Sequence, residues 1–188
     1  MLFRFLSAVL FALLIPAAAA SADEYQDTIK VFKEAGESAG FFKSSYGYAV
    51  FPTIGKAGLG IGAAHGKGRV YEKGKHIGDT SMTQGTIGFQ AGAQAFSQII
   101  FFQDARALKE FTGGNFEFSA EAQAVAITAA AGAQASTTGS SAGASGGRHD
   151  ATTVGKYQKG MATFTVAKGG LMYQATIGGQ KFSYAPVK

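Results

Sequence analysis

The sequence predicts an α+β fold that is predominantly antiparallel β, a barrel-like or sandwich core carrying an N-terminal helix and one short helix. Three observations point there. From Tyr46 onward, apolar and small residues alternate with a period of two over segment after segment, the pattern of half-buried strands. The chain of 188 residues holds 27 glycines and no tryptophan, and many of the glycines sit at strand positions, where a missing side chain admits a neighbouring backbone or ring. Finally, YGYAVFPTIGKAGLGIG, residues 46–62, returns imperfectly as KGMATFTVAKGGLMYQATIGG, residues 159–179. Gly47, Ala49, Phe51, Lys56, Gly58 and Leu59 match Gly160, Ala162, Phe164, Lys168, Gly170 and Leu171 once one residue is gapped. That repeat predicts two equivalent hairpin-like units in one body.

Residues 1–22 read as a secretory signal peptide. Arg4 supplies the positive start, an apolar run extends from Phe5 to Ala20, and Ala20-Ser21-Ala22 forms a small-residue cleavage site. The run is short for a bilayer span and contains Pro16. Residues 23–188 are then the length of one domain. Residues 23–43 space Tyr25, Ile29, Phe32, Gly36, Ala39 and Phe42 as one helix, with Asp23 or Asp27 available as a cap. Gly36 and Gly40 each weaken it by about 1 kcal/mol relative to Ala, so docking has to hold it. Residues 46–51 alternate as a strand that Pro52 is expected to stop. In the next strand, 57–64, Gly58, Gly60 and Gly62 share one face, and Leu59 and Ile61 the other. RVYEKGKHI, residues 69–77, reads as a short hairpin turning at Lys73-Gly74, and residues 86–102 as one long or two broken strands. Asp104 caps a short helix, 105–111, that Gly113-Gly114 stops. Residues 115–126 alternate again, and 136–150 form a Ser/Thr/Gly loop. Strands at 161–167, 171–177 and 180–184, joined by glycine turns, close the chain.

Charge and composition narrow the function. The chain has 17 Lys and Arg against 12 Asp and Glu, a net charge of +5, which suits an anionic lipid or glycan surface but is too small and scattered for nucleic acid. The absence of cysteine excludes a disulfide framework and a lipoprotein's modified Cys. With the signal peptide, this predicts an exported protein, periplasmic or secreted, soluble or peripheral to a membrane. No catalytic residue, metal ligand or cofactor is predicted. The glycine runs at 58–63 and 62–68 lack the third glycine of a dinucleotide fingerprint and the hydroxyl that follows a phosphate-loop lysine. GSSAG and GASGG match a nucleophile elbow only inside a Ser/Gly linker, without the strand and helix the elbow needs. His65, His76 and His149 fit no zinc spacing. Glu117 and Glu121, four residues apart on a strand, stand about 13 Å apart, beyond a glycosidase pair.

Three motifs in order are more specific. An A-V-F-P turn at 49–52 precedes a strand with glycine at every second residue, and TIGFQAGAQAFSQIIFF follows at 86–102. Together they make the chain resemble the SYLF domain from about residue 25 to residue 184. The resemblance implies binding of phosphoinositides and other acidic lipids rather than a reaction. Eukaryotic relatives include actin-patch regulators and use an N-terminal amphipathic helix at membranes, but actin regulation is not expected of an exported single domain. Lys56, Lys67, Arg69, Lys73 and Lys75 cluster in the glycine-rich hairpin region, and Lys168 belongs to its later copy. If the copies pack as equivalents, these cations share one rim, and each contributes about 1 kcal/mol near an anionic bilayer. The expected function is therefore non-catalytic binding of anionic phospholipid headgroups at a membrane surface. The alternative is an envelope structural or assembly protein whose Ala-rich strands, such as 120–135, pair with a protein partner. The signal-peptide reading predicts that exported protein begins at Asp23, which N-terminal sequencing checks; a retained Met1 contradicts it.

Overall fold

The computed structural model describes residues 21–118, 124–127, 156–168 and 179–188. The predicted loop 136–150, the strand 171–177, the turn after Lys168 and nearly all of the signal peptide lie outside them. The elements in chain order are α1 (Ser21–Glu34), α2 (Gly36–Ala39), α3 (Phe41–Ser44), β1 (Gly47–Glu72), β2 (Lys75–Phe102), α4 (Ala105–Phe111), β3 (Phe116–Glu117), β4 (Val125–Ile127), β5 (Met161–Lys168) and β6 (Gln180–Pro186). The strands form one mostly antiparallel sheet with a few short helices on it, the α+β architecture expected.

The single helix predicted for 23–43 is instead three. Ala35 is extended, at φ −77° and ψ 119°, and the chain breaks again at Gly40. The two glycines lower helix propensity at these points. Fully buried Ser38 stabilises the first break by donating from Oγ to the Phe32 carbonyl at 2.5 Å. Asp23 and Asp27 lie within α1 and are not caps. Tyr25, Ile29 and Phe32 are buried as their spacing predicted.

β1 and β2 make one ribbon, paired from Glu72 opposite Lys75 to Gly47 opposite Phe102. Lys73 (φ 48°) and Gly74 (φ 82°) are both left-handed, the type I′ geometry whose twist matches the flanking strands. Pro52 does not stop β1. It falls in the register shift between Phe51 and Ile54, where the ladder is interrupted and a missing N–H costs little. Its carbonyl accepts from Ser97 Oγ at 2.7 Å.

This ribbon is folded in half. Along a straight strand, Gln84 and Gln98 would stand about 46 Å apart. Yet the Gln180 amide reaches both: Gln98 Nε2 donates to Gln180 Oε1 at 2.9 Å, and Gln180 Nε2 donates to Gln98 Oε1 at 3.1 Å and to Gln84 Oε1 at 3.4 Å. β1 doubles back in step, since the Lys73 N–H donates to the Tyr46 carbonyl at 3.2 Å. The crease lies where β1 advances two residues, Leu59 to Ile61, while β2 spends four, Ile87 to Ala91. The strand on the outside of a bend needs the extra length, as in a bulge. Glycine permits the closure: a Cβ on Gly58 would overlap Gly62, and one on Gly68 would stand 2.6 Å from Phe51 ring carbons.

Two layers result. β5 pairs with Ala95 to Phe102 of β2 and carries β4 parallel to it, in the layer that includes the start of β1. β6 pairs with Gly78 to Gln84 and carries β3, in the layer that includes the end of β1. Between them lie Phe51, Ile54, Met82, Ile100, Phe102 and Phe182, closed by Leu108 and Phe111 of α4. Asp104 caps α4 as predicted, accepting from the Ala107 N–H at 2.8 Å. The first layer's outer face, with Val50, Ile99, Phe101 and Phe164, packs under Tyr25, Ile29 and Phe32 of α1.

The sequence repeat does not produce equivalent units. Both copies flank β2, but Ala49 and Phe51 stand opposite Ile100 and Gln98, whereas Ala162 and Phe164 stand opposite Phe101 and Ile99. They are one residue out of step, and a one-residue slip turns every side chain to the other face. Phe51 accordingly fills the inner core and Phe164 the outer one.

Close packing across the fold predicts that Gly68→Val lowers stability by about 1–3 kcal/mol. Gly85, with nothing within 4 Å of its would-be Cβ, serves as the control: Gly85→Val is neutral or stabilising because Val is the better strand former. Urea titration of the two variants reads the difference, and equal midpoints would contradict the doubled-ribbon packing.

Candidate functional site

The two outer faces of the sheet differ. The first layer's is covered by α1 and α3. The second layer's outward positions are polar, because alternation sends Val70, Met82 and Phe182 inward and their neighbours outward. Cross-strand pairing sets these out in rows: His65, Thr83, Lys181 and Glu117 in one, Lys67, Ser81 and Ser183 in the next, Arg69, Asp79 and Ala185 in the third. The rows are internally bonded. His65 Nδ1 lies 3.4 Å from Thr83 Oγ1, the Ser81 and Ser183 hydroxyls 2.6 Å apart, and Lys181 Nζ 3.5 Å from Glu117 Oε2. His76 Nε2 lies 3.1 Å from Asp79 Oδ1, and Arg69 Nε 3.8 Å from the same oxygen. Such a face offers ammonium groups beside hydroxyl donors, the chemistry that holds phosphate oxygens.

The six predicted cations do not share a rim. Lys67 stands exposed on the bare face with no acidic partner among the described residues. Arg69 is on the same face, but its guanidinium lies over the Tyr25 ring, 4.4 Å from the centroid. Lys168 is on the opposite layer, where Nζ bonds Thr53 Oγ1 at 2.7 Å and Glu24 Oε1 at 3.4 Å. Arg69 and Lys168 therefore hold the first turns of α1 to the sheet, one through Tyr25 and the other through Glu24. Lys73 lies in the ribbon's turn and exposed Lys75 follows it, with Lys73 Nζ 5.2 Å from the Tyr46 ring centroid. Lys56, two residues beyond buried Ile54 on β1, is half-buried, and burial pushes its pKa down. The repeat's failure of register is the reason that Lys56 and Lys168 part company.

Lys181, Ser81, Thr83 and Ser183 were missed by sequence reasoning. Alternation around Phe182 already turned Lys181 and Ser183 outward, but only the pairing of β6 with β2 sets them beside Lys67. Under the helices, burial, and then Tyr71 stacked at 5.0 Å, push the Tyr48 phenol up to about 12. That hydroxyl stays neutral through the physiological range.

Comparisons with known proteins agree on one family. The family model described as Ysc84, Las17-binding protein actin regulator, matches residues 83–184, from the first third of β2 to Tyr184 in β6. A curated relative, beta cell expansion factor A of Aeromonas veronii, is 28% identical over 158 residues, covering 82% of this chain and 51% of that protein. The chain thus spans about half the length of that relative.

Lys56 yields a prediction with a definite sign. Its folded pKa is lowered, so at neutral pH the unfolded chain holds this proton more readily, and the penalty is relieved as pH rises toward the ordinary lysine value of 10.5. Lys56→Met is expected to raise the urea midpoint at pH 7, with the gain over wild type shrinking by pH 10. A gain that grows with pH would contradict the burial.

Proposed function

Because the chain belongs to the Ysc84 family, we propose that it is an exported, non-catalytic domain that docks on acidic lipid headgroups at a membrane surface. The family description names a protein partner and a regulatory role rather than a reaction, which fits a binding domain. The observation that carries the lipid reading is the bare outer face of the second layer, where Lys67 and Lys181 flank the Ser81, Thr83 and Ser183 hydroxyls. Lysine donates as a point charge and the hydroxyls donate directionally, a pairing suited to phosphodiesters. Each cation near an anionic bilayer contributes about 1 kcal/mol, so a few support reversible attachment. Phosphatidylglycerol is the simplest acidic probe of this chemistry. The Ala-rich segment 120–135, the feature behind the envelope-assembly alternative, lies outside the described residues except for 124–127.

Co-sedimentation with phosphatidylcholine vesicles, with and without phosphatidylglycerol, tests the proposal. Binding is expected only to the acidic vesicles, and it is expected to weaken as salt rises, because exposed charge is screened over about 8 Å at physiological ionic strength. Lys67→Glu combined with Lys181→Glu is expected to cut it about tenfold, equivalent to about 1.4 kcal/mol, at an unchanged melting temperature. Equal binding to both vesicle types, or indifference to the double reversal, would overturn it.

A further inference from the structure

We infer that the crease of the folded ribbon is a shallow bilayer-penetrating tip whose occupant is the headgroup–acyl boundary of the same acidic membrane. This rests on the docking reading above and gives it an orientation. Gly58 abuts Gly62, so the residues between Leu59 and Ile61 form one end of the doubled ribbon together with the segment of β2 between Ile87 and Ala91. Among the described residues, that end is without formal charge. β1 carries no Asp, Glu, Lys or Arg between Lys56 and Lys67, and β2 none between Asp79 and Asp104. At the tip, Ile61 is 76% exposed, and among the described residues the next exposed large apolar side chains are Val187 at 45% and Val31 at 40%.

Three features fit such an occupant. First, the backbone stays paired up to the crease, Leu59 with Ala91 and Ile61 with Ile87, which limits the polar groups that would lose water near hydrocarbon. Second, the register shift interrupts the regular ladder at the crease, which suits penetration only to the depth of an interfacial element, about 5–10 Å. Third, the cations begin where the uncharged tip ends. Lys56 lies four residues from Gly60, about 13 Å along a strand, and Lys67 lies seven residues away, about 23 Å. With the crease in the boundary, Lys56 stands nearest the phosphates, and the Lys181 and Lys67 rows stand farther above them, where their attraction acts through a screening length of about 8 Å. Lys73 and Lys75, at the opposite end of the ribbon, stay in water.

The chain contains no tryptophan, so Ile61→Trp creates a single fluorescent reporter at the tip. On vesicles of phosphatidylglycerol and phosphatidylcholine, its emission is expected to shift to the blue and to be quenched by lipids brominated on the acyl chain. Ile61→Asp is expected to lower affinity for the same vesicles about tenfold while leaving the melting temperature of this exposed site unchanged. If the Ile61→Trp protein sediments with acidic vesicles but its emission neither shifts nor is quenched, the tip is wrong and headgroup docking stands. Ile61→Asp protein that binds like wild type overturns the tip as well. If wild type does not sediment with acidic vesicles at all, the docking reading fails and the tip falls with it.

Discussion

The rest of the structure depends on the buried amide exchange between Gln98 and Gln180. These side chains are fully buried, and each donates to the other's carbonyl oxygen, with Gln84 accepting from Gln180 as a third member. In a dry interior an amide left without partners costs about 1–3 kcal/mol, whereas a satisfied one is near neutral to mildly stabilising. The pair therefore acts less as a source of stability than as a selector of geometry. Only a ribbon doubled at Leu59 and Ile61 brings these amides together, and any other register buries polar groups unpaired. The surrounding aromatic core, Phe51 against Phe182 at 5.6 Å and Phe111 against Phe102 at 5.0 Å, supplies the burial that makes the folded ribbon favourable.

Doubling the ribbon creates two outer faces from one sheet, and α1 resolves them into different roles. Ile29 and Phe32 seat it on the first layer, while Tyr25 under Arg69 and Glu24 against Lys168 position its start along β1. The contacts to Arg69 and Lys168 are partly exposed and modest in energy. Their effect is placement: the helix covers the apolar face and the long strand, and the polar face of the second layer keeps Lys67, Thr83, Lys181 and Ser183 exposed. Two of the basic residues that composition marks as ligands for an anion are thereby engaged within the fold.

Much of the architecture was legible where the cause is local. The Lys73-Gly74 turn needs two left-handed residues, and Asp104 with the glycines after Phe111 brackets α4. Period-two alternation marks β6 because one of its faces lies on the core and the other in water, and it marks β5, buried on both faces, because threonines alternate there with larger apolar residues. Pro52 misled because an edge position and a register shift can absorb a proline, and nothing in the adjacent residues signals either. The helix at 23–43 misled because its break is stabilised by Ser38 reaching back to Phe32, a contact that needs both segments already docked. The repeat misled more deeply, since identity of residues says nothing about register, and a single step of slip against β2 put Phe51 and Phe164 on opposite faces.

The sequence by itself determined the elements with short-range causes, the α+β class, and the family resemblance carried by the motifs at 49–62 and 86–102. It also determined the supply of cations, hydroxyls and apolar residues from which any binding surface must be made. Tertiary structure alone decided that the ribbon folds in half, that Arg69 and Lys168 brace α1, and that Lys67 and Lys181 lie on one bare face. Those outcomes depend on contacts between residues dozens of positions apart, such as Gln98 with Gln180 and Lys168 with Glu24. Their energies exist only once the whole chain has closed, so no local window of sequence contains them.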